Sequence, residues 1–276
     1  MLIVEYKKKI TEQLFPLSGT ARMDAELLLM YVLNKTRAQL ITDSMTVVSD
    51  AEASMIDAVV ARRLSGEPIA YILGYQPFWT LELLVSPDTL IPRPETECLI
   101  DWILTNLGDQ TALTIADLGT GTGAIALALG SEKSGWKIDA IDESYEALAI
   151  AKKNADKNNI KNVSFYQGDW CNALPNRKYD VIVSNPPYIA EGDLHLKRLT
   201  FEPQSALVSG SDGLDAIQII ATQAKAFLKL GASLVIEHGF DQAMAVCDIF
   251  RKAGYDEVHN HRDLSDVPRF VTGRQN

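Results

Sequence analysis

Through residue 75 the apolar positions recur at helical spacing. From Asp24 onward they fall at Leu27, Leu28, Met30, Tyr31 and Leu33, a stripe that predicts a helix with one buried face. Ser49-Asp50-Ala51-Glu52 supplies an N-cap and, three residues on, a carboxylate able to return the bond. The helix it opens turns Met55, Ile56, Val59, Val60 and Leu64 inward and stops at Gly66, with Pro68 just beyond. These stripes predict a small helical-bundle domain over residues 1–75.

The period then changes. Trp79, Leu81, Leu83 and Val85 alternate with Thr80, Glu82 and Leu84, and Ser86-Pro87-Asp88 offers a turn. A β-hairpin linker over 76–92 is the expectation. From 93 to 276 strand and helix patterns alternate. Strands are predicted at 112–117, 137–142, 163–167, 179–184 and 232–237, with helices after the first two and another at 213–229. Two more strands are read between 255 and 273. That rhythm predicts an α/β domain built on a seven-stranded, doubly wound, mostly parallel (Rossmann-like) sheet.

Composition narrows the setting. Hydrophobic residues make up 47% and charged residues 22% of 276, the range of an ordinary globular chain. The formal charge is −10, and neither half is basic. Nucleic-acid binders draw much of their affinity from neutralising phosphates, so no direct nucleic-acid partner is expected. Cys98, Cys171 and Cys247 lie far apart without metal or disulfide spacing, which fits a reducing compartment. No apolar run approaches the roughly 20 residues of a membrane span. The start, MLIVEYKKKI, reverses the charge order of a secretory signal. The expectation is a cytoplasmic chain away from membranes; its oligomeric state is not legible.

Two segments carry chemistry. Asp117-Leu118-Gly119-Thr120-Gly121-Thr122-Gly123 runs off a strand into a helix beginning near Ala124. Glycines let the backbone turn sharply and approach a ligand, and the helix start offers unpaired N–H groups. Gly119-x-Gly121-x-x-Ala124 also fits the dinucleotide fingerprint. Asp142 ends the next strand about 25 residues past Asp117, where a carboxylate can accept both hydroxyls of a ribose. On this loop alone NAD and S-adenosylmethionine remain open. Asp117 tilts the balance, since a carboxylate suits a cationic amino group better than a pyrophosphate. Asp169 and Trp170, after the third strand, add a carboxylate and a flat ring for an adenine.

The fourth strand ends in Asn185-Pro186-Pro187-Tyr188, at the sheet edge where ligands bind. An amide nitrogen is a poor nucleophile because its lone pair is delocalised. Two acceptors aimed at its N–H bonds would hold it and favour charge on nitrogen as a methyl arrives. Asn185 can supply a side-chain carbonyl and Pro186 a backbone carbonyl, with successive prolines fixing its direction. Tyr188 can stack on the planar group or cap its pocket. No metal site is expected: His259 and His261 alternate on one strand without a third ligand. His238 is read as a solvated loop histidine, and Arg93 as either a carboxylate partner or a ligand contact.

Phe78-Trp79, Leu90-Ile91-Pro92-Arg93-Pro94-Glu95-Thr96-Glu97, Asp117 to Gly123 and Asn185 to Tyr188 together resemble the HemK-type (PrmC) glutamine methyltransferases. The resemblance spans nearly the whole chain, weakest at Tyr75-Gln76. It implies a methyltransferase domain with a helical N-terminal domain that helps hold the substrate. The implied reaction moves a methyl group from S-adenosylmethionine, leaving S-adenosylhomocysteine. The acceptor would be the Gly-Gly-Gln glutamine of bacterial peptide chain release factors. By position, Gly119, Thr120, Gly121, Thr122, Gly123, Asp142, Asp169, Trp170 and Asn185 would hold the cofactor. Asn185, Pro186, Pro187 and Tyr188 would form the glutamine pocket. Glu202-Pro203 matches a family segment without an assignable role. The alternatives are adenine-N6 or cytosine-N4 methylation of nucleic acid and, more remotely, nicotinamide-dependent oxidoreduction.

Overall fold

The computed structural model describes residues 1–276, and the chain divides into two compact units, Met1–Tyr75 and Gln76–Asn276. The first holds α1 (Ile3–Leu14), α2 (Ala21–Leu33), α3 (Arg37–Thr42), α4 (Asp50–Leu64) and α5 (Ile69–Leu73). Its core is Ile3, Ile10, Leu14, Leu28, Leu29 and Ile56. Ser49 caps α4 as expected, accepting from the Glu52 N–H while the Glu52 carboxylate takes the Ser49 N–H. The stripe read along α2 is one position out of phase. Ala21, Ala25, Leu28 and Leu29 face inward, and Tyr31 is exposed. Asp24 is buried on that same face because Ser18, Thr20 and Arg63 satisfy it.

The second unit opens with a two-stranded ribbon, β1 (Tyr75–Phe78) and β2 (Leu81–Leu84). The reversal falls at Trp79-Thr80, with Trp79 at φ 55°. Ser86-Pro87-Asp88 forms a separate turn after the ribbon, closed by the Thr89 N–H on the Ser86 carbonyl. The remaining elements are α6 (Glu97–Leu107), β3 (Thr114–Leu118), α7 (Ala124–Glu132), β4 (Lys137–Asp142), α8 (Tyr145–Lys157), β5 (Val163–Gln167) and β6 (Tyr179–Ser184). After them come α9 (Asp215–Ala224), β7 (Leu228–Glu237), α10 (Ala243–Lys252), β8 (Asp256–Arg262) and β9 (Pro268–Arg274).

The seven strands order β5-β4-β3-β6-β7-β9-β8. The first five neighbours run parallel, and β9 is antiparallel between β7 and β8. Both faces are covered, so the central strands are mostly apolar runs, with polar residues such as Asp117, Asp180 and Ser184 near their ends. Ile115, Val181, Val183 and Val235 point into one core with α6 and α7, while Ala116, Ile182, Leu234 and Ile236 join the opposite one. Sequence periodicity misplaced one boundary. α9 ends at Ala224 and β7 starts at Leu228, which pairs with Tyr179 before the register shifts around Gly231, at φ 75°. The exposed Lys229-Leu230-Gly231 stretch hides this early start of the strand.

Candidate active site

Strand register assembles the site. Leu118 of β3 and Ser184 of β6 are partners, and the Ser184 hydroxyl donates to the Leu118 carbonyl at 2.7 Å. The glycine loop and Asn185 therefore leave the sheet side by side. Strand order reverses here, with β4 on one side of β3 and β6 on the other, which opens a crevice at the carboxyl ends. Asp142 pairs with Gln167, so Gly168-Asp169-Trp170 emerges beside it. Ser184 pairs with Ile236, which brings Glu237 next to Asn185. A cleft of about 440 Å³ results, within the span of small-molecule sites. Gly119, Thr120, Gly121, Thr122, Asp142, Asp169, Trp170, Asn185 and Pro187 line it.

The glycine loop wraps around acceptors. Gly119 sits at φ 71°, and a Cβ there would stand 3.1 Å from the Trp170 ring. A side chain would be strained in its backbone and crowded by the ring. Gly121, at φ 57°, donates its N–H to Asp142 Oδ2 at 2.8 Å, and the Ser144 N–H reaches Oδ1 at 2.9 Å. Each Asp142 oxygen thus keeps one lone-pair direction for a ligand. Burial raises this carboxyl's pKa, and the Gly121 and Ser144 N–H groups pull it back.

Asn185 belongs to a chain of hydrogen bonds. Its Nδ2 donates to Thr96 Oγ1 at 3.1 Å, and that hydroxyl donates to Glu237 Oε2 at 2.7 Å. Thr96 and Glu237 are buried. With its NH₂ end held this way, the carboxamide offers its carbonyl oxygen as the acceptor on the cleft side. Thr96 lies in the Leu90–Glu97 segment but was given no role there, and Glu237 lies in no motif; a carboxylate closing the apolar run Leu234-Val235-Ile236 was the available signal.

Arg93 has the carboxylate partner open to it. It lines the cleft and pairs with buried Glu202. Glu202 also accepts the Ile91 N–H at 3.1 Å, so one carboxylate ties the 90–93 strap to the segment before Pro203, itself a lining residue. Glu202→Ala would leave the Ile91 N–H buried and unpaired, costing about 1–3 kcal/mol of stability. Urea unfolding, followed beside activity, checks this, with the loss expected in both.

Four expected residues are not among those lining the cleft. Asp117 is 1% exposed; its Oδ2 accepts the Thr120 hydroxyl at 2.6 Å and the Ala126 N–H at 3.1 Å. It braces the loop from below, and Oδ1 has no partner. Burial pushes this carboxyl up to about 7. Gly123, at φ 84°, starts α7, and a Cβ there would press on Leu127; its requirement is packing. Pro186 is buried. Tyr188 packs against the core and reaches Glu237 with its hydroxyl at 3.4 Å, while Gln242 holds its carbonyl. His238 is a further correction: it is fully buried, facing the Gly239 carbonyl at 2.7 Å and Asn260 at 3.0 Å. His261 stacks on Phe270 with ring centroids 4.6 Å apart.

Known proteins match both units. The PrmC N-terminal domain family model covers residues 7–74, and the Methyltransferase small domain model covers 96–212. Among solved structures, a methyltransferase from Pyrococcus furiosus superposes with a TM-score of 0.55 at 20% identity, over 78% of this chain and 97% of that one. A T. thermophilus 16S rRNA methyltransferase in complex with AdoMet and guanosine gives 0.54 at 16%, over 73% and 50%. At such identities they establish the fold alone. The sequence relatives say more. The release factor glutamine methyltransferase of Escherichia coli (strain K12) is 43% identical over 98% of this chain and 99% of its own. That of Coxiella burnetii is 50% identical over 99% of both. On that evidence the chain belongs to the release factor glutamine methyltransferase family.

Proposed function

We propose that this chain transfers the methyl group of S-adenosylmethionine to the N5 amide nitrogen of the Gly-Gly-Gln glutamine in peptide chain release factors. The observation that carries the reading is the Asn185 carboxamide, whose NH₂ end is committed to Thr96. A glutamine amide needs acceptors for its two N–H bonds, and Asn185 Oδ1 is an acceptor held ready in a cleft.

The residues suit this cofactor. Asp142 keeps two acceptor directions for a ribose diol, and Trp170 and Asp169 border the same space for an adenine. The partnerless Oδ1 of Asp117 leaves an unused acceptor under the loop that would face a cationic methionine. Bound there, S-adenosylmethionine supplies an electrophilic methyl on a sulfonium. The protein holds the amide nitrogen in line with that methyl and keeps its N–H bonds engaged while charge grows on nitrogen. The backbone carbonyl of Pro186, a buried residue between Asn185 and Pro187 of the cleft wall, is proposed as the second acceptor. No general base tuned near neutrality is required, since the departing proton becomes acidic only once nitrogen is alkylated.

The helical unit, residues 1–75, is proposed to help hold the release factor, in the cytoplasm; no helix is long and apolar enough to cross a membrane. Mass spectrometry of a release factor after incubation with this protein and S-adenosylmethionine tests the reading. One added methyl on the Gly-Gly-Gln peptide is expected. Transfer to nucleic acid in place of the release factor would overturn it.

A further inference from the structure

The carboxamide of Asn185 can be inserted in two ways, related by a flip that exchanges its oxygen and its NH₂. Only one suits an acceptor role. Shape does little to choose between them, because the two ends are nearly the same size. The choice must come from whichever group the buried end meets.

That group is the Thr96 hydroxyl, which has one proton to give. An ionised Glu237 can only accept, so it claims that proton at 2.7 Å. The Thr96 oxygen is then left with lone pairs alone and matches only the NH₂ end of Asn185, at 3.1 Å. A protonated Glu237 reverses this logic. Its own hydroxyl can donate to Thr96, which frees the Thr96 proton to turn toward Asn185 and welcome the carbonyl end instead. The NH₂ would then point into the cleft, set against the N–H bonds of an incoming amide.

We propose that Glu237, acting through the Thr96 hydroxyl, is a positioning residue that sets which end of the Asn185 carboxamide faces the cleft. Glu237 touches neither acceptor nor cofactor in this account, which rests on the methyl-transfer reading above. Its place follows from register, since Ser184 pairs with Ile236 and the two strands release Asn185 and Glu237 together.

The surroundings put the charge of Glu237 within reach of ordinary pH. Burial pushes its carboxyl up to about 7, against the pull of the Thr96 hydroxyl, Arg269 of β9 and the Tyr188 hydroxyl, while Glu95 adds to the rise. Arg269 is shared with Asp263, at 3.0 Å. Cys98 of α6 also feels Glu237, and burial lifts that thiol's pKa to about 12, so it stays neutral. His238, next in the chain, faces Gly239 and Asn260 instead. The sign follows directly. Above about 7 Glu237 is charged and Asn185 presents oxygen; below it the proper orientation is progressively lost.

Release-factor methylation by Glu237→Gln and wild type, compared across pH, tests this. A glutamine can both donate to and accept from Thr96, so it no longer dictates the flip. Its turnover should fall by about 10–100-fold, by analogy with the loss of a partner that orients a metal-ligating side chain. KM for S-adenosylmethionine should stay near wild type, and at saturating cofactor the acid limb at about 7 in the wild-type turnover profile should disappear. Thr96→Ser, which keeps the hydroxyl, should restore what Thr96→Val loses. An acid limb unchanged in Glu237→Gln would overturn the proposal. A second readout needs no turnover: the Asn185 side-chain NH₂ signals in NMR, assigned by their loss in Asn185→Ala. In wild type they should change as pH falls through about 7, and in Glu237→Gln they should not. Signals insensitive to pH in wild type would sink the relay whatever the substrate. A wild type with the NMR change but no methylation of release factor would refute the functional reading and leave the relay standing.

Discussion

Asn185→Ala is expected to slow methyl transfer by about 10²–10³, or about 2.7–4 kcal/mol of transition-state stabilisation, the loss seen when one aligned donor is deleted from an oxyanion hole. The analogy is with the polarity reversed. An oxyanion hole meets negative charge with N–H groups; here a carbonyl meets N–H bonds that turn more acidic as the nitrogen is alkylated. Alanine removes the acceptor and leaves the Thr96 hydroxyl without the NH₂ that completes its bonding. S-adenosylmethionine affinity should change little, because the Asp142 diol site and the Trp170 ring are untouched. Single-turnover rates on a release factor, with cofactor binding by calorimetry, separate the two effects. Turnover near wild type would remove Asn185 from the role assigned to it. Asn185→Asp should rescue poorly. The buried end of the carboxylate would set an acceptor against a Thr96 oxygen whose proton already serves Glu237, and would add a second negative charge beside the first.

The parts of this site that were legible in sequence are those fixed by local geometry. A glycine run between strand and helix predicts positive φ, and Gly119, Gly121 and Gly123 all have it. A carboxylate at the end of the next strand predicts Asp142 facing that loop, and it accepts the Gly121 N–H. The alternation of strands and helices gave the sheet, because two covered faces force apolar runs of recognisable length. What stayed hidden depends on pairing between distant strands. Nothing near Glu237 in sequence says that Ile236 will sit beside Ser184, so its closeness to Asn185 appears only with the register. The same holds for Glu202, which reaches Ile91 and Arg93 across more than a hundred residues. The direction of Tyr188 was not legible, because a tetrapeptide carries no information on which way its last side chain turns. The pull of Glu237 and the packing of the core take it inward. His238 was misread for a related reason, since its burial needs Asn260 from β8.

Asp142 makes the second large prediction, and the unusual part concerns asparagine rather than alanine. Both carboxylate oxygens already accept a backbone N–H, from Gly121 at 2.8 Å and from Ser144 at 2.9 Å. A carboxamide has one oxygen, so Asp142→Asn must set its NH₂ against one of those N–H groups whichever way it is flipped. The substitution that looks conservative therefore loosens the glycine loop and also removes an acceptor from the ribose. Hydrogen bonds to charged groups contribute about 1.5–3 kcal/mol each, so losing two should weaken S-adenosylmethionine binding by about 3 kcal/mol or more, on the order of 100-fold. Asp142→Ala should weaken binding at least as much, since alanine removes both ribose acceptors and leaves both N–H groups without a partner. Calorimetric titration of the three proteins decides the matter, and tight binding by Asp142→Asn would show that the ribose is held elsewhere. Protonation gives a milder version of the same loss. Burial holds the Asp142 carboxyl above its ordinary range, with the charge of Glu143 adding to the rise, and protonation takes a lone pair from one oxygen. Wild-type affinity for the cofactor should therefore decline as pH falls through that raised value, and an Asp142→Ala protein should lack this part of the dependence.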